Sequence, residues 1–96
     1  MMSKDLLIRK HITVTGRVQG VGFRAFTQYL ATNLDVNGWV RNVGYDQVEI
    51  VAEASPDVME LFINEVSRGP RHSNVTAVKV DDEPSTGEFS IFDIRG

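Results

Sequence analysis

The chain contains no cysteine among its 96 residues. This absence excludes disulfide bonds, thiolate metal ligands and a cysteine nucleophile. Long apolar runs are also missing. The run near the start, Leu6 to Ile8, is far too short to span a membrane or to form the apolar part of a signal peptide. We therefore expect a cytoplasmic protein that does not interact with a membrane.

Basic residues are scarce as well. Ten Lys and Arg residues stand against 13 Asp and Glu, so the net charge is -3 at pH 7. A mildly acidic chain is not expected to coat nucleic acid, and any anion site must be local. The length suits a single domain with one modest core. We expect a monomer without a nucleic-acid partner.

Hydrophobic periodicity predicts five strands and two helices. The predicted strands are 8–16, 36–43, 47–53, 75–80 and 89–94. The break at 44–46 is so short that the second and third strands form an antiparallel hairpin. The order β-α-β-β-α-β, with the last strand split in two, predicts an α+β fold of the ferredoxin-like type, a two-layer sandwich with two helices on one face of a mostly antiparallel sheet. Residues 1–7 are assigned to an N-terminal tail and 8–96 to one domain.

Apolar residues at helical spacing predict the buried face of each helix. In the first helix they are Phe26, Tyr29, Leu30 and Leu34. In the second they are Met59, Phe62, Ile63 and Val66. Ser55 and Pro56 predict the start of the second helix as N-cap and first helical position, and Gly69 with Pro70 predicts its end. The acidic stretch within 81–87 is predicted to be a polar turn.

The segment 16–24, with the sequence GRVQGVGFR, joins the first strand to the first helix and contains three glycines. Unpaired N–H groups and the positive dipole end of a helix form an anion site at such a junction. Arg24 adds a planar fork of donors suited to phosphate oxygens. Glycines also serve in plain tight turns, and a single arginine is more often a solvated surface residue. The loop by itself leaves both interpretations open.

Two other classes of ligand are excluded, dinucleotides by topology and RNA by the residues of the third strand. Residues 20–25 match the dinucleotide pattern GxGxxA, but that site needs a parallel βαβ unit in a larger sheet. RNA-recognition domains share this element order and carry aromatics on the third strand, whereas residues 47–53 contain none. His11 and His72 have no metal-ligand spacing and are expected at the surface. We expect no metal and no cofactor.

A second motif, GWVRN at 38–42, makes the pattern recognisable. Together with GRVQGVGFR it resembles the acylphosphatases, small βαββαβ enzymes that hydrolyse the carboxyl–phosphate bond of acyl phosphates. The resemblance covers the chain from about residue 10 to the C-terminus, and it implies a hydrolase acting on a small acyl phosphate. It also implies that Arg24 binds the phosphate and that Asn42 positions the attacking water. Without the resemblance, Asn42 would be interpreted as a turn residue. The substrate-binding residues implied are Gln19, Gly20, Val21, Gly22, Phe23 and Arg24.

Some positions depart from the family pattern, and two of them bear on the hairpin. Asp46 stands where the family usually has the hairpin glycine, and Ala54 stands where it usually has another glycine before the second helix. Gly44, two residues before Asp46, is available to supply a positive φ in a re-registered turn. These changes are the features that lean toward an alternative function, a non-catalytic phosphate-binding regulatory module on the same fold.

Overall fold

A computed structural model describes residues 6–96. The elements in chain order are β1 (Ile8–Arg17), α1 (Phe23–Leu34), β2 (Asn37–Val43), β3 (Gln47–Ala54), α2 (Pro56–Arg68), β4 (Asn74–Glu83) and β5 (Phe92–Arg95). The strands form one sheet in the order β4-β1-β3-β2-β5. The pair β2–β5 is parallel and the other three pairs described are antiparallel. The predicted ferredoxin-like α+β sandwich is confirmed. Of the predicted tail, residues 1–5 lie outside the described residues.

The core lies between the two helices and one face of the sheet. Ile12 and Val14 of β1 stand opposite Ile50 and Val48 of β3, and all four are fully buried. Because side chains alternate along a strand, the residues between them point to the other face. No helix within residues 6–96 has the length and apolar content needed to cross a membrane.

The predicted buried face of α1 is wrong in part. Leu30 and Leu34 do pack against the core, but Tyr29 is 73% exposed. The buried positions are Phe23, Thr27 and Ala31. The helix begins at Phe23, three residues before Phe26. Residues four apart lie on the same face of a helix, and the face that starts at Phe23 packs against the sheet. Thr27 is tolerated there because its hydroxyl donates to the carbonyl oxygen of Phe23 at 2.9 Å.

The prediction for α2 is confirmed. Met59, Phe62 and Val66 are buried, and Ile63 packs partly buried against the same core. Pro56 is the first helical residue, although the Ser55 side chain makes no capping hydrogen bond. The helix thus covers the sheet beside α1.

The predicted polar turn at 81–87 is wrong in its first part, because β4 continues to Glu83. The three acidic residues Asp81, Asp82 and Glu83 stand opposite His11, Lys10 and Arg9 in the β1–β4 register. Lys10 is paired with Asp82, and Arg9 Nε donates to Glu83 Oε1 at 2.9 Å. Opposite charges across adjacent strands stabilise the pairing, so the acidic stretch is a strand end rather than a turn.

Candidate active site

The loop between β1 and α1 turns at two glycines with positive φ, Gly20 at 72° and Gly22 at 78°. Gly22 is the N-cap of α1, and its carbonyl oxygen accepts the first helical bond from Phe26 N–H at 2.9 Å. The N–H groups of residues 23–25 precede that bond, so they have no acceptor within the helix. The first turn contains no acidic residue. The loop therefore presents backbone donors and a positive helix end, both suited to an anion.

A pocket of about 270 Å³ lies where this loop meets the end of β2. Its lining residues are Val18, Gln19, Gly20, Gly22, Phe23, Arg24, Ala25, Asn42 and Ile94. Of the residues predicted for substrate binding or catalysis, the structure brings all but Val21 to this pocket. Val21 instead packs against the hydrophobic core. A pocket of this size suits a small ligand rather than a macromolecule.

Asn42 reaches the pocket from β2, where it stands opposite Val48 of β3. Its Oδ1 atom is buried, and no donor within residues 6–96 lies at hydrogen-bond distance. Leaving a buried acceptor unpaired costs about 1–3 kcal/mol, so buried polar atoms nearly always have a protein, water or ligand partner. Asn42 thus brings to the pocket lining an amide whose oxygen has no hydrogen-bond partner among residues 6–96.

The hairpin that carries Asn42 is tied to the loop. Gly16 N–H donates to the carbonyl oxygen of Asp46 at 2.9 Å, and Gly44 has a φ of 59°. Gly44 therefore supplies the positive φ that Asp46 does not adopt, as the sequence indicated. Ala54, the other departure, is buried in the core at the end of β3 and does not line the pocket.

The side chain of Gln19 has a contact that sequence reasoning missed. The resemblance implied that Gln19 binds the substrate, whereas its side-chain amide donates to carbonyl oxygens of the β2–β3 hairpin. No local pattern signals this contact, because donor and acceptors belong to different elements.

The open face of the sheet carries an ion network centred on Glu49. His11 Nε2 lies 2.6 Å from Glu49 Oε2, and Arg41 Nε donates to Glu49 Oε1 at 2.6 Å. Burial acts to raise the pKa of Glu49, but the hydrogen bonds from His11 and Arg41 outweigh it and hold the pKa below its ordinary value. Of the two histidines expected at the surface, His72 is exposed and His11 is half-buried in this network. Residues 6–96 contain no cluster of three or more potential metal ligands.

The protein is a small α+β domain with a ferredoxin-like sheet. Its glycine-rich loop between β1 and α1 forms a local site suited to anions. The chain belongs to the acylphosphatase family, whose sequence model matches residues 10–94. It is 49% identical over 82 residues to the acylphosphatase of Bifidobacterium longum, a match that covers 85% of this chain and 84% of the relative.

Two further acylphosphatases are similar to this chain. The acylphosphatase of Salinibacter ruber is 46% identical over 82 residues, covering 85% of this chain and 86% of the relative. The crystal structure of acylphosphatase from Bacillus subtilis matches with a TM-score of 0.89 at 37% identity. That match covers 93% of this chain and 99% of the other.

Proposed function

We propose that the protein hydrolyses the carboxyl–phosphate bond of acyl phosphates, giving a carboxylate and phosphate, in the pocket between α1 and β2. Family membership supports the activity. The observation that carries the site assignment is that one pocket is lined by Arg24, by the loop and by Asn42, whose buried Oδ1 has no hydrogen-bond partner among residues 6–96. Nothing observed favours the alternative of a non-catalytic phosphate-binding module.

In this proposal the phosphoryl group is bound by Arg24 and by the N–H groups of the loop. A guanidinium donates two parallel hydrogen bonds to phosphate oxygens, and the first N–H groups of α1 provide donors of fixed direction. No acidic side chain is among the residues that line the pocket in the described part of the chain, so bound phosphate meets no direct charge repulsion. Phosphoryl transfer depends mainly on such positioning and charge stabilisation.

Asn42 holds the attacking water. Its Oδ1 accepts a hydrogen bond from the water. The water oxygen forms a bond to phosphorus as the bond from phosphorus to the acyl oxygen breaks, and the electron pair of that bond leaves with the carboxylate. A carboxylate is a good leaving group and needs no general acid, while an oxygen of the substrate phosphate accepts the proton of the water.

The test measures hydrolysis and binding together. Benzoyl phosphate loses its ultraviolet absorbance on hydrolysis, and calorimetry with inorganic phosphate measures occupancy of the pocket. We expect turnover well above the spontaneous rate, with phosphate as a competitive inhibitor. Phosphate binding by folded protein without turnover would contradict the proposal and support the non-catalytic module.

We also propose that the protein acts in the cytoplasm as a monomer without a nucleic-acid partner. The absence of cysteine supports the cytoplasmic location, and the net charge of -3 supports the absence of a nucleic-acid partner. Light scattering coupled to size-exclusion chromatography tests the oligomeric state, and a mass near 10.7 kDa is expected.

A further inference from the structure

One side chain of the phosphate loop points to the hairpin that carries Asn42. Gln19 Nε2 lies 3.0 Å from the carbonyl oxygen of Gly44, 3.0 Å from that of Gln47 and 3.3 Å from that of Val43. The three carbonyls surround the end of the β2–β3 ladder, whose last pair is Val43 with Gln47. The amide therefore contacts the hairpin at the point where the regular ladder ends.

This contact joins the two halves of the proposed site. Gln19 is next to Gly20 in the loop that lines the pocket, and Val43 follows Asn42 directly in β2. The loop itself is shaped by the positive φ of Gly20 and Gly22 and by the start of α1. Those local features determine how the loop donors are arranged, but they do not determine where the loop lies relative to Asn42.

The backbone attachment between β1 and this hairpin consists of the β1–β3 ladder, which ends at Thr15 opposite Gln47, and the bond from Gly16 N–H to the carbonyl oxygen of Asp46. It lies at the start of the loop, before the part that lines the pocket. It holds only the β1 end of the loop, whereas the Gln19 amide adds an attachment close to Asn42. An apolar side chain at this position would also leave part of these carbonyls without a protein donor.

We propose that Gln19 is a positioning residue for hydrolysis, which acts through Asn42 by setting the distance between the phosphate loop and the attacking water. The inference rests on the proposed function. Displacement of a reacting group by about 1 Å lowers rates by about 10²-fold, whereas phosphate binding depends on donors within the loop and α1. Loss of the Gln19 amide should therefore lower kcat more than it weakens phosphate binding.

Gln19→Met tests this directly, because Met has a similar length and lacks the donor. We expect kcat for benzoyl phosphate to fall by about 10- to 100-fold, with the inhibition constant of phosphate changed by less than about threefold. Gln28→Met is the matched control. The Gln28 side chain likewise donates to a backbone carbonyl of another element, that of Phe92 at 3.1 Å, and it does not line the pocket. The control should retain the wild-type kcat.

A double-mutant cycle with Asn42→Ala shows whether Gln19 acts through Asn42. If it does, Gln19→Met lowers kcat in the wild-type background and changes it less than about threefold once Asn42 is Ala. Equal reductions in both backgrounds would overturn the inference and leave the proposed function intact. A wild-type kcat for Gln19→Met would overturn it too. A wild-type kcat for Asn42→Ala alone would refute the water-positioning role and this inference together.

Circular dichroism and urea unfolding establish that each variant is folded at the assay temperature. If Gln19→Met does not fold, Gln19→Asn takes its place in the cycle, since it keeps an amide and shortens the side chain by one methylene. The same difference between the two Asn42 backgrounds is then expected, and its absence overturns the inference.

Discussion

Gly16 and Asp46 are joined by a backbone hydrogen bond of 2.9 Å, from the N–H of the first to the carbonyl oxygen of the second. The bond connects the end of β1 to the tip of the β2–β3 hairpin. It uses only backbone atoms of Asp46, so an aspartate at this position is compatible with the contact. The departure from the family pattern at residue 46 therefore leaves the connection between loop and hairpin in place.

The first prediction concerns the hairpin turn. Gly44 has a φ of 59° with open space where a Cβ would lie, so Gly44→Ala introduces conformational strain without a clash. We expect it to lower the free energy of unfolding by about 1–2 kcal/mol. Asp46→Ala keeps the backbone contact and a negative φ, and should change stability by less than about 0.5 kcal/mol. Urea unfolding of both variants measures this, and equal losses would contradict the assignment of the positive φ to Gly44.

The second prediction concerns Arg24. Arg24→Ala should lower kcat/KM for benzoyl phosphate by about 10³-fold or more, the scale on which an arginine stabilises a transferred phosphoryl group. Arg24→Lys should recover little, because an ammonium lacks the planar fork. Arg71→Ala, at an exposed arginine outside the pocket lining, controls for loss of positive charge and should retain activity. Near-complete recovery by lysine would show that charge alone is sufficient.

The third prediction separates binding from turnover at Asn42. Asn42→Ala should lower kcat by about 10²-fold, the scale found for removal of one preorganised polar group, while phosphate affinity changes little. Asn42→Asp should weaken phosphate binding as well, because a carboxylate repels the phosphate dianion. Steady-state kinetics with phosphate as inhibitor measures both quantities. A loss of phosphate affinity in Asn42→Ala as large as its loss of kcat would contradict the water-positioning role.

The fourth prediction concerns stability in acid. The pKa of Glu49 in the folded protein is below its ordinary value of 4.5, because the hydrogen bonds from His11 and Arg41 outweigh the effect of burial. A group whose pKa is lowered by folding stabilises the protein above its unfolded pKa, and this stabilisation is lost as the pH falls through the lower, folded pKa. Wild-type protein should therefore lose more unfolding free energy than Glu49→Gln between pH 6 and pH 3. Parallel stability curves for the two proteins would show that Glu49 does not contribute.

The sequence by itself determined the order of the elements, the hairpin and the two motifs. These features are local: alternation marks strands, helical spacing marks α2, and glycine or proline marks the breaks between them. The positive φ of Gly44 was also foreseeable, since glycine adopts it at little cost. The two motifs were sufficient to indicate the family and to identify Arg24 and Asn42 as the candidate catalytic residues.

Only the tertiary structure decided which residues meet. The acidic end of β4 is a strand because it pairs with the basic start of β1, about 70 residues earlier in the chain. In α1 the sheet selects the face that begins at Phe23, which places Tyr29 in solvent. The Gln19 amide and the unpaired Oδ1 of Asn42 likewise depend on how loop and hairpin pack. Contacts between distant segments leave no period in the sequence, so only the packed fold specifies them.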